Sequence, residues 1–150
     1  MTASILLCAD GSDLSNAALA AGLAIVRPDA DVIIATVVSA PDPMLVTGTG
    51  MAGGTMSMED FEDHDRALES EGRVLVADVA TKLGVPSAQA VLLRGDAGGA
   101  ICDFAASQGV QAIVIGSRGR GGIKRALLGS VSDYVVRNAP CPVIITGPER

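Results

Sequence analysis

The sequence predicts an α/β fold in which an open, five-stranded parallel sheet is covered by helices on both faces. Two observations lead to this prediction. Short apolar runs alternate with helical patterns along the whole chain, as they do in successive strand–helix–strand units. The apolar runs are also continuous, which is typical of strands buried on both faces. Right-handed crossovers between such strands give a mostly parallel sheet, and 150 residues suffice for one such domain.

The first strand, the first helix and the second strand follow one another closely. Ile5–Ala9 is a continuous apolar run and is predicted as a strand. Ser12 or Asp13 can cap the helix that follows, and Arg27-Pro28 is expected to end it. Val32–Val38 is rich in β-branched residues and is predicted as the second strand.

A long connection and a long helix come next. The stretch 39–58 is rich in Gly, Pro, Thr and Met and fits neither the helix nor the strand period, so we predict a flexible loop. Acidic residues beginning with Glu59 open the next helix, where they complement the helix dipole. Gly84 and Pro86 end that helix. Its predicted buried face consists of Leu68, Leu75, Val79 and Leu83.

The second half of the chain repeats the alternation. A helix begins at Gly95-Asp96 and ends at Gly109, and a shorter helix is predicted over Val131–Asn138. The three remaining predicted strands are Gln89–Leu93, Ala112–Ile115 and Pro142–Thr146. In an open parallel sheet, ligands bind outside the carboxyl ends of the strands, where the strand order reverses.

Composition excludes several classes of protein. A formal net charge of −6 argues against general binding to nucleic acid or to acidic membranes. Cys8, Cys102 and Cys141 lie far apart in apolar surroundings and show neither a zinc-ligand spacing nor a disulfide framework. The first residues show no signal-peptide pattern, and no apolar run approaches membrane-spanning length. We therefore expect a cytoplasmic protein.

The glycine-rich segment 116–130 is the strongest functional signal. Gly116, Gly119 and Gly129 are followed by Ser130, and the segment connects a predicted buried strand to a predicted helix. Glycines allow the backbone to approach an anion closely, and the first N–H groups of a helix have no intrahelical partner. Four cations in the segment are either a solvated basic surface or phosphate contacts: Arg118, Arg120, Lys124 and Arg125. This pattern favours a phosphate-binding loop.

Other phosphate-binding motifs do not fit the sequence. The chain contains no GxxxxGK[ST] motif, which disfavours a P-loop NTPase. The first strand leads into DGSDLSN rather than GxGxxG, so the dinucleotide-binding fingerprint is absent. A phospho-receiver domain is also disfavoured, because Arg94 ends the third strand and no lysine lies in the last.

The spacing of the glycines resembles a known family. Gly116-x-x-Gly119, nine residues and then Gly129-Ser130 are similar to the G-x2-G-x9-G-[S/T] motif of the ATP-binding universal stress proteins. The resemblance covers nearly the whole chain and includes the stretches Asp10-Gly11-Ser12, Thr36-Val37, Arg94-Gly95-Asp96 and Asn138 to Ile145. It implies a Rossmann-like sheet of the adenine nucleotide α-hydrolase type with strand order 3-2-1-4-5.

The resemblance also implies a set of site residues. Asp10 would lie at the adenosine end, the backbone of Val37 would meet the adenine, and Gly95 would line the ribose. The phosphates of ATP, with their Mg²⁺, would be surrounded by Gly116, Arg118, Gly119, Gly129, Ser130 and the backbone N–H of Val131. Helix capping is the alternative role for Asp10, and a tight connection is the alternative for the glycines.

A homodimer is a further implication of the resemblance, formed through the last strand. Physical reasoning agrees, because Val143, Ile144 and Ile145 are predicted to form a short apolar strand at a sheet edge. Unpaired edges invite pairing with a second copy.

Three functions remain open on the sequence. The leading hypothesis is a regulatory protein whose partner binding or dimer state changes with ATP occupancy. No nucleophile–base pair stands out, so we name no catalytic residue, and any hydrolysis should be slow. A slow Mg-dependent ATP hydrolase would need a base from outside the phosphate loop, such as Asp60 or His64. A nucleotide-independent interaction module is the third hypothesis, and AMP or a cyclic nucleotide is an alternative ligand.

Overall fold

The computed structural model describes residues 2–39, 56–117 and 128–147. Residues 40–55 of the predicted loop lie outside these ranges. So do residues 118–127, which include Arg118 and Gly119 of the predicted phosphate site. Within the described ranges, five strands alternate with four helices, which confirms the predicted α/β fold.

The sheet is parallel throughout and has the order β3-β2-β1-β4-β5, as the family resemblance implied. Its strands are β1 (Ser4–Cys8), β2 (Asp31–Val38), β3 (Gln89–Arg94), β4 (Ala112–Gly116) and β5 (Val143–Thr146). Each agrees with its predicted strand to within one residue at either end. The continuity of the apolar runs explains this agreement, since β1 and β4 lie centrally and are buried on both faces.

The helices are α1 (Asp13–Leu23), α2 (Met58–Lys82), α3 (Ala97–Gln108) and α4 (Ser130–Asn138). Side-chain oxygens cap three of them: Ser12 caps α1, Ser57 caps α2 and Asp96 caps α3. The prediction that Arg27-Pro28 ends α1 is wrong by four residues. The chain leaves the α-helix after Leu23 and continues in tighter turns, with Ile25 N–H bonded to Gly22 O and Val26 N–H bonded to Leu23 O.

Two helices cover each face of the sheet. On one face, Leu19 of α1 and Val76 and Val79 of α2 pack with apolar residues of β1, β2 and β4. On the other face, Ile101 of α3 and Val135 of α4 pack with the opposite side chains of the same strands. None of the four described helices is long and apolar enough to cross a membrane.

Glycines let two helices approach the sheet closely. A Cβ added to Gly22 of α1 would lie 2.3 Å from Cγ1 of Val114. A Cβ added to Gly72 of α2 would lie 2.9 Å from Cγ2 of Val38 and 3.0 Å from Cδ2 of Leu92. The predicted buried face of α2 is therefore incomplete. Val79 is buried as predicted, but Leu68, Leu75 and Leu83 are half-buried, and Gly72 and Val76 form the inner contact.

Candidate functional site

Strand register brings the predicted site residues to one edge of the sheet. Cys8 of β1 pairs with Ala35 of β2 and with Ile115 of β4. Asp10 and Val37 each lie two residues beyond this level, and Gly116 lies one residue beyond it. Strands in a sheet are about 4.8 Å apart. Three residues predicted from separate parts of the sequence therefore share the carboxyl edge of three adjacent strands. We call this region the carboxyl-edge site.

Asp10 is held in place by the turn between β1 and α1. Its Oδ1 accepts hydrogen bonds from the backbone N–H of Ser12 at 2.8 Å and from the Ser12 hydroxyl at 2.7 Å. Ser12 Oγ in turn accepts from the Ser15 N–H at 3.1 Å and so caps α1. Gly11 lies between them with φ of 80°, a conformation that favours glycine. Asp10 is thus not the helix cap itself but orients the residue that is.

The Oδ2 atom of Asp10 accepts no hydrogen bond from any residue in the described ranges. The side chain is half-buried, so this oxygen is available to a ligand hydroxyl at the carboxyl edge. Because Oδ1 already accepts two hydrogen bonds, the carboxylate is held in one orientation and Oδ2 is an acceptor at a fixed position. The adenosine-end role that the resemblance implies for Asp10 stays a prediction.

Ser117 joins three elements at the other side of the site. Its N–H donates to Thr146 O at 3.0 Å, and its carbonyl oxygen accepts from the N–H of Gly129 at 2.7 Å. The hydroxyl of Ser132, a buried residue of α4, donates toward the same carbonyl at 3.1 Å and toward Gly129 O at 3.0 Å. The start of α4 is therefore fastened to the end of β4.

Among the described residues, no side chain caps the N-terminus of α4. Gly129 is the N-cap residue, has extended backbone angles (φ −69°, ψ 164°) and offers no side chain to the first-turn N–H groups. The Ser132 hydroxyl is turned back onto carbonyl oxygens instead. The first N–H groups of a helix have no intrahelical acceptor and carry the positive end of the dipole. The backbone at Ser130 and Val131 is thus suited to an anion.

The ends of β2 and β3 form the remaining side of the carboxyl edge. Val38 pairs with Arg94, so Gly95 follows the end of β3 one residue later. Gly95 has φ of 103°, and a Cβ there would meet no other atom within 4 Å. The glycine is needed for its backbone conformation, and the space beside it is open. The Arg94 guanidinium forms ion pairs with two carboxylates of α2, Asp65 at 2.5 Å and Glu69 at 3.5 Å.

The described ranges contain three cysteines and one histidine, side-chain types that often act in catalysis. Burial raises the pKa of the Cys8 thiol to about 12, and the Cys102 and Cys141 thiols nearby add to that shift. Cys8 is therefore protonated at neutral pH. Because only the thiolate is nucleophilic, it is an unreactive core residue. His64 is exposed on α2. No three His, Cys, Asp or Glu side chains of the described ranges are grouped to hold a metal ion.

Sequence reasoning missed three polar residues near the site. Ser117 and Ser132 fasten β4 to α4, and their short polar side chains gave no periodic signal. Asn16 of α1 is buried, although it is an amide. Asn16 does carry a signal, since it precedes the buried Leu19 by three residues and therefore interrupts the apolar stripe of α1.

Comparison with known proteins shows which protein family this chain resembles. A model of the universal stress protein family matches residues 1–147. Universal stress protein YxiE of Bacillus subtilis is 31% identical over 144 residues, which are 94% of this chain and 96% of that protein. A universal stress protein of Thermus aquaticus is 35% identical over 145 residues, which are 97% and 98% of the two chains.

Solved structures show the same fold. UspA from Lactobacillus plantarum has a TM-score of 0.68 at 26% identity, over 95% of this chain and 96% of its own. A universal stress protein in complex with cAMP has a TM-score of 0.67 at 22% identity, over 98% of both chains. A protein of this family from Arabidopsis thaliana with AMP bound has a TM-score of 0.63 at 18% identity, over 98% and 92%.

Proposed function

Since the chain belongs to the universal stress protein family, we propose that it binds an adenine nucleotide at the carboxyl-edge site. The observation that carries this proposal is the uncapped start of α4. Its first-turn N–H groups follow Gly129, which has no side chain, and they are fastened beside the end of β4. A phosphate is the group that such a helix start binds best.

The adenosine end lies across the central strands. Asp10 presents one carboxylate oxygen that accepts no hydrogen bond from the described residues, and Val37 lies near the end of β2 at the same level of the sheet. The path from Gly95 to Gly116 crosses four strands, or about 14 Å at the usual strand spacing. An elongated ligand with a polar sugar in the middle and an anion at one end suits this arrangement. The AMP-bound and cAMP-bound relatives support adenine nucleotides as the ligand class.

ATP with Mg²⁺ is the specific ligand that we propose within this class. The resemblance implies that Arg118 and Gly119 would surround its phosphates together with Gly116, Gly129 and Ser130. Mg²⁺ usually keeps several waters and binds largely through substrate phosphates, so it needs no cage of protein carboxylates. The absence of a three-ligand cluster in the described ranges is compatible with that mode.

We further propose that nucleotide occupancy regulates partner binding or the dimer state of a cytoplasmic stress-response protein. The dimer would form through β5, which lies at the edge of the sheet. Val143, Ile144 and Ile145 are half-buried there in the single chain. An exposed apolar edge strand favours pairing with an identical strand across a two-fold axis. Because β5 is bonded to Ser117 through Thr146, the edge and the phosphate end are directly connected.

A calorimetric titration of the purified protein, freed of carried-over nucleotide, tests the proposal. We expect saturable binding of Mg·ATP at about one nucleotide per chain, competed by AMP. Binding of AMP with a much weaker Mg·ATP signal would limit the proposal to monophosphates. A folded, nucleotide-free protein that binds neither ligand would refute it and favour the interaction module.

A further inference from the structure

Asn16 is a buried amide that has no hydrogen-bond partner among the described residues. The residue is 9% exposed, and within the part of the chain that the structure describes neither Nδ2 nor Oδ1 has a partner. Almost all buried polar side-chain atoms in proteins are hydrogen-bonded, because an unsatisfied group keeps the full cost of its desolvation. A leucine of nearly the same shape would avoid that cost. The amide therefore requires an explanation outside the described contacts.

The side chain of Asn16 leads toward the carboxyl-edge site. Its backbone N–H donates to Ser12 O at 3.0 Å, so it lies one turn into α1. Ser12, Asn16 and Leu19 follow one stripe of the helix, since residues four and seven apart share a face. At one end of the stripe Leu19 is fully buried, and at the other Ser12 is bonded to Asp10. Side chains on a helix tilt toward its N-terminus, which here means toward Asp10.

We propose that the Asn16 amide hydrogen-bonds the base of the bound adenine nucleotide. This inference rests on the proposed function and adds a base-reading side chain to it. A primary amide carries one acceptor and two donor hydrogens. The edge of adenine offers the complement, an amino group at C6 beside a ring nitrogen that accepts, and asparagine pairs with adenine in this bidentate way. The Asn16 amide would thus make the site select the 6-amino group.

Two ligands and three variants test this assignment. AMP is compared with purine riboside 5′-monophosphate, which differs from AMP by lacking the 6-amino group. The variant N16L removes both polar atoms and keeps the shape, and N16A is a second variant in case leucine packs badly. The control N138L makes the same exchange at the other asparagine of the chain, which is exposed on α4.

We expect the wild type to bind AMP about tenfold or more tightly than the analogue, because the analogue leaves the amide oxygen unpaired. N16L should bind AMP roughly 5- to 100-fold more weakly than the wild type and should no longer distinguish the two ligands. The melting temperature of nucleotide-free N16L should not fall below that of the wild type. N138L should bind both ligands as the wild type does.

The opposite outcomes are separable. A wild type that binds neither ligand refutes the proposed function, and the inference with it. A wild type that binds both ligands equally, or an N16L that keeps wild-type affinity and preference, refutes only the role of Asn16. Nucleotide-free N16L and N16A that both melt well below the wild type, or do not fold, also refute it. They would show that the amide has a partner in the free protein, such as a buried water.

Discussion

Two helix starts at the carboxyl-edge site, those of α1 and α4, are built in opposite ways. At α1, Ser12 caps the helix and Asp10 fixes Ser12, so side chains of the chain itself satisfy the exposed N–H groups. At α4, Gly129 offers no side chain, and the nearby Ser132 hydroxyl is bonded to carbonyl oxygens. The difference indicates that the two helix starts offer different groups to a ligand. The start of α1 presents a fixed carboxylate, and the start of α4 presents backbone N–H groups that no side chain of the described residues caps.

The other described helices sharpen this contrast. α2 is capped by Ser57 and α3 by Asp96, although neither belongs to the proposed phosphate end. Of the four helices in the described ranges, α4 is thus the one without a side-chain cap. A cap residue stabilises a helix by about 1 kcal/mol relative to alanine but by only a few tenths of a kcal/mol relative to glycine, so its omission at Gly129 has a small cost that a bound phosphate would offset.

Supplying α4 with the missing cap should have the largest effect on binding. In Gly129→Asp, the carboxylate would occupy the first-turn N–H groups, and the extended backbone at 129 accepts any residue. We expect the variant to be up to about 1 kcal/mol more stable in urea unfolding. We expect it to bind Mg·ATP about 100-fold more weakly, because like charges at such a site cost several kcal/mol.

Gly129→Ser is the matched control for that variant. The serine hydroxyl caps the helix but carries no charge, so stability should rise by a few tenths of a kcal/mol while most of the affinity remains. Wild-type affinity in Gly129→Asp would mean that the phosphates do not reach the start of α4. Isothermal calorimetry on the three proteins distinguishes these results.

Removing the cap of α1 should have a smaller effect on two properties at once. Ser12→Ala deletes the hydroxyl that accepts from Ser15 and donates to Asp10. We expect the free energy of unfolding to fall by about 1 kcal/mol. We also expect weaker nucleotide binding, by roughly tenfold or less, because Asp10 loses one of its two donors and its fixed orientation.

Ser57→Ala provides the comparison for Ser12→Ala. It deletes an equivalent cap, at 3.1 Å from the N–H of Asp60, and Ser57 is not among the residues proposed to bind the nucleotide. Chemical denaturation should show a similar loss of stability in both variants, whereas only Ser12→Ala should lose affinity. Equal affinities in the two would remove Asp10 from the ligand site and leave it a structural role.

Sequence reasoning located the strands well and the contacts of the site poorly. A continuous apolar run such as that in β1 reports burial on both faces directly, because no polar residue can be placed there without a cost. The caps at Ser12 and Asp96 are equally local, since a cap bonds to a residue three positions away. Both kinds of feature depend only on neighbours in sequence.

The features that were missed depend on distant partners. The Ser132 hydroxyl donates to the backbone carbonyl of Ser117, fifteen residues away, and the sequence next to either residue does not predict this contact. Sequence reasoning misses Gly72 on α2 because glycine carries no hydrophobic signal, yet Gly72 is where β2 and β3 approach the helix. Asn16 was passed over as a polar residue on a helix, although its place in the apolar stripe of α1 predicts burial.

The smallest effect is expected where the start of α4 is fastened to β4. Ser132→Ala deletes a hydroxyl that lies near two carbonyl oxygens, but Ser117 O keeps its bond from the N–H of Gly129 at 2.7 Å. The loss is therefore one shared hydrogen bond, about 0.5–1 kcal/mol in urea unfolding. Ser107→Ala, which removes an exposed hydroxyl bonded to Phe104 O, should cost less.

If the uncapped helix start works only because it is held rigidly, Ser132→Ala should also weaken Mg·ATP binding by about two- to fivefold. Unchanged affinity at reduced stability would show that the donors of α4 act without this fastening, and that the open cap alone distinguishes the phosphate end from the adenosine end.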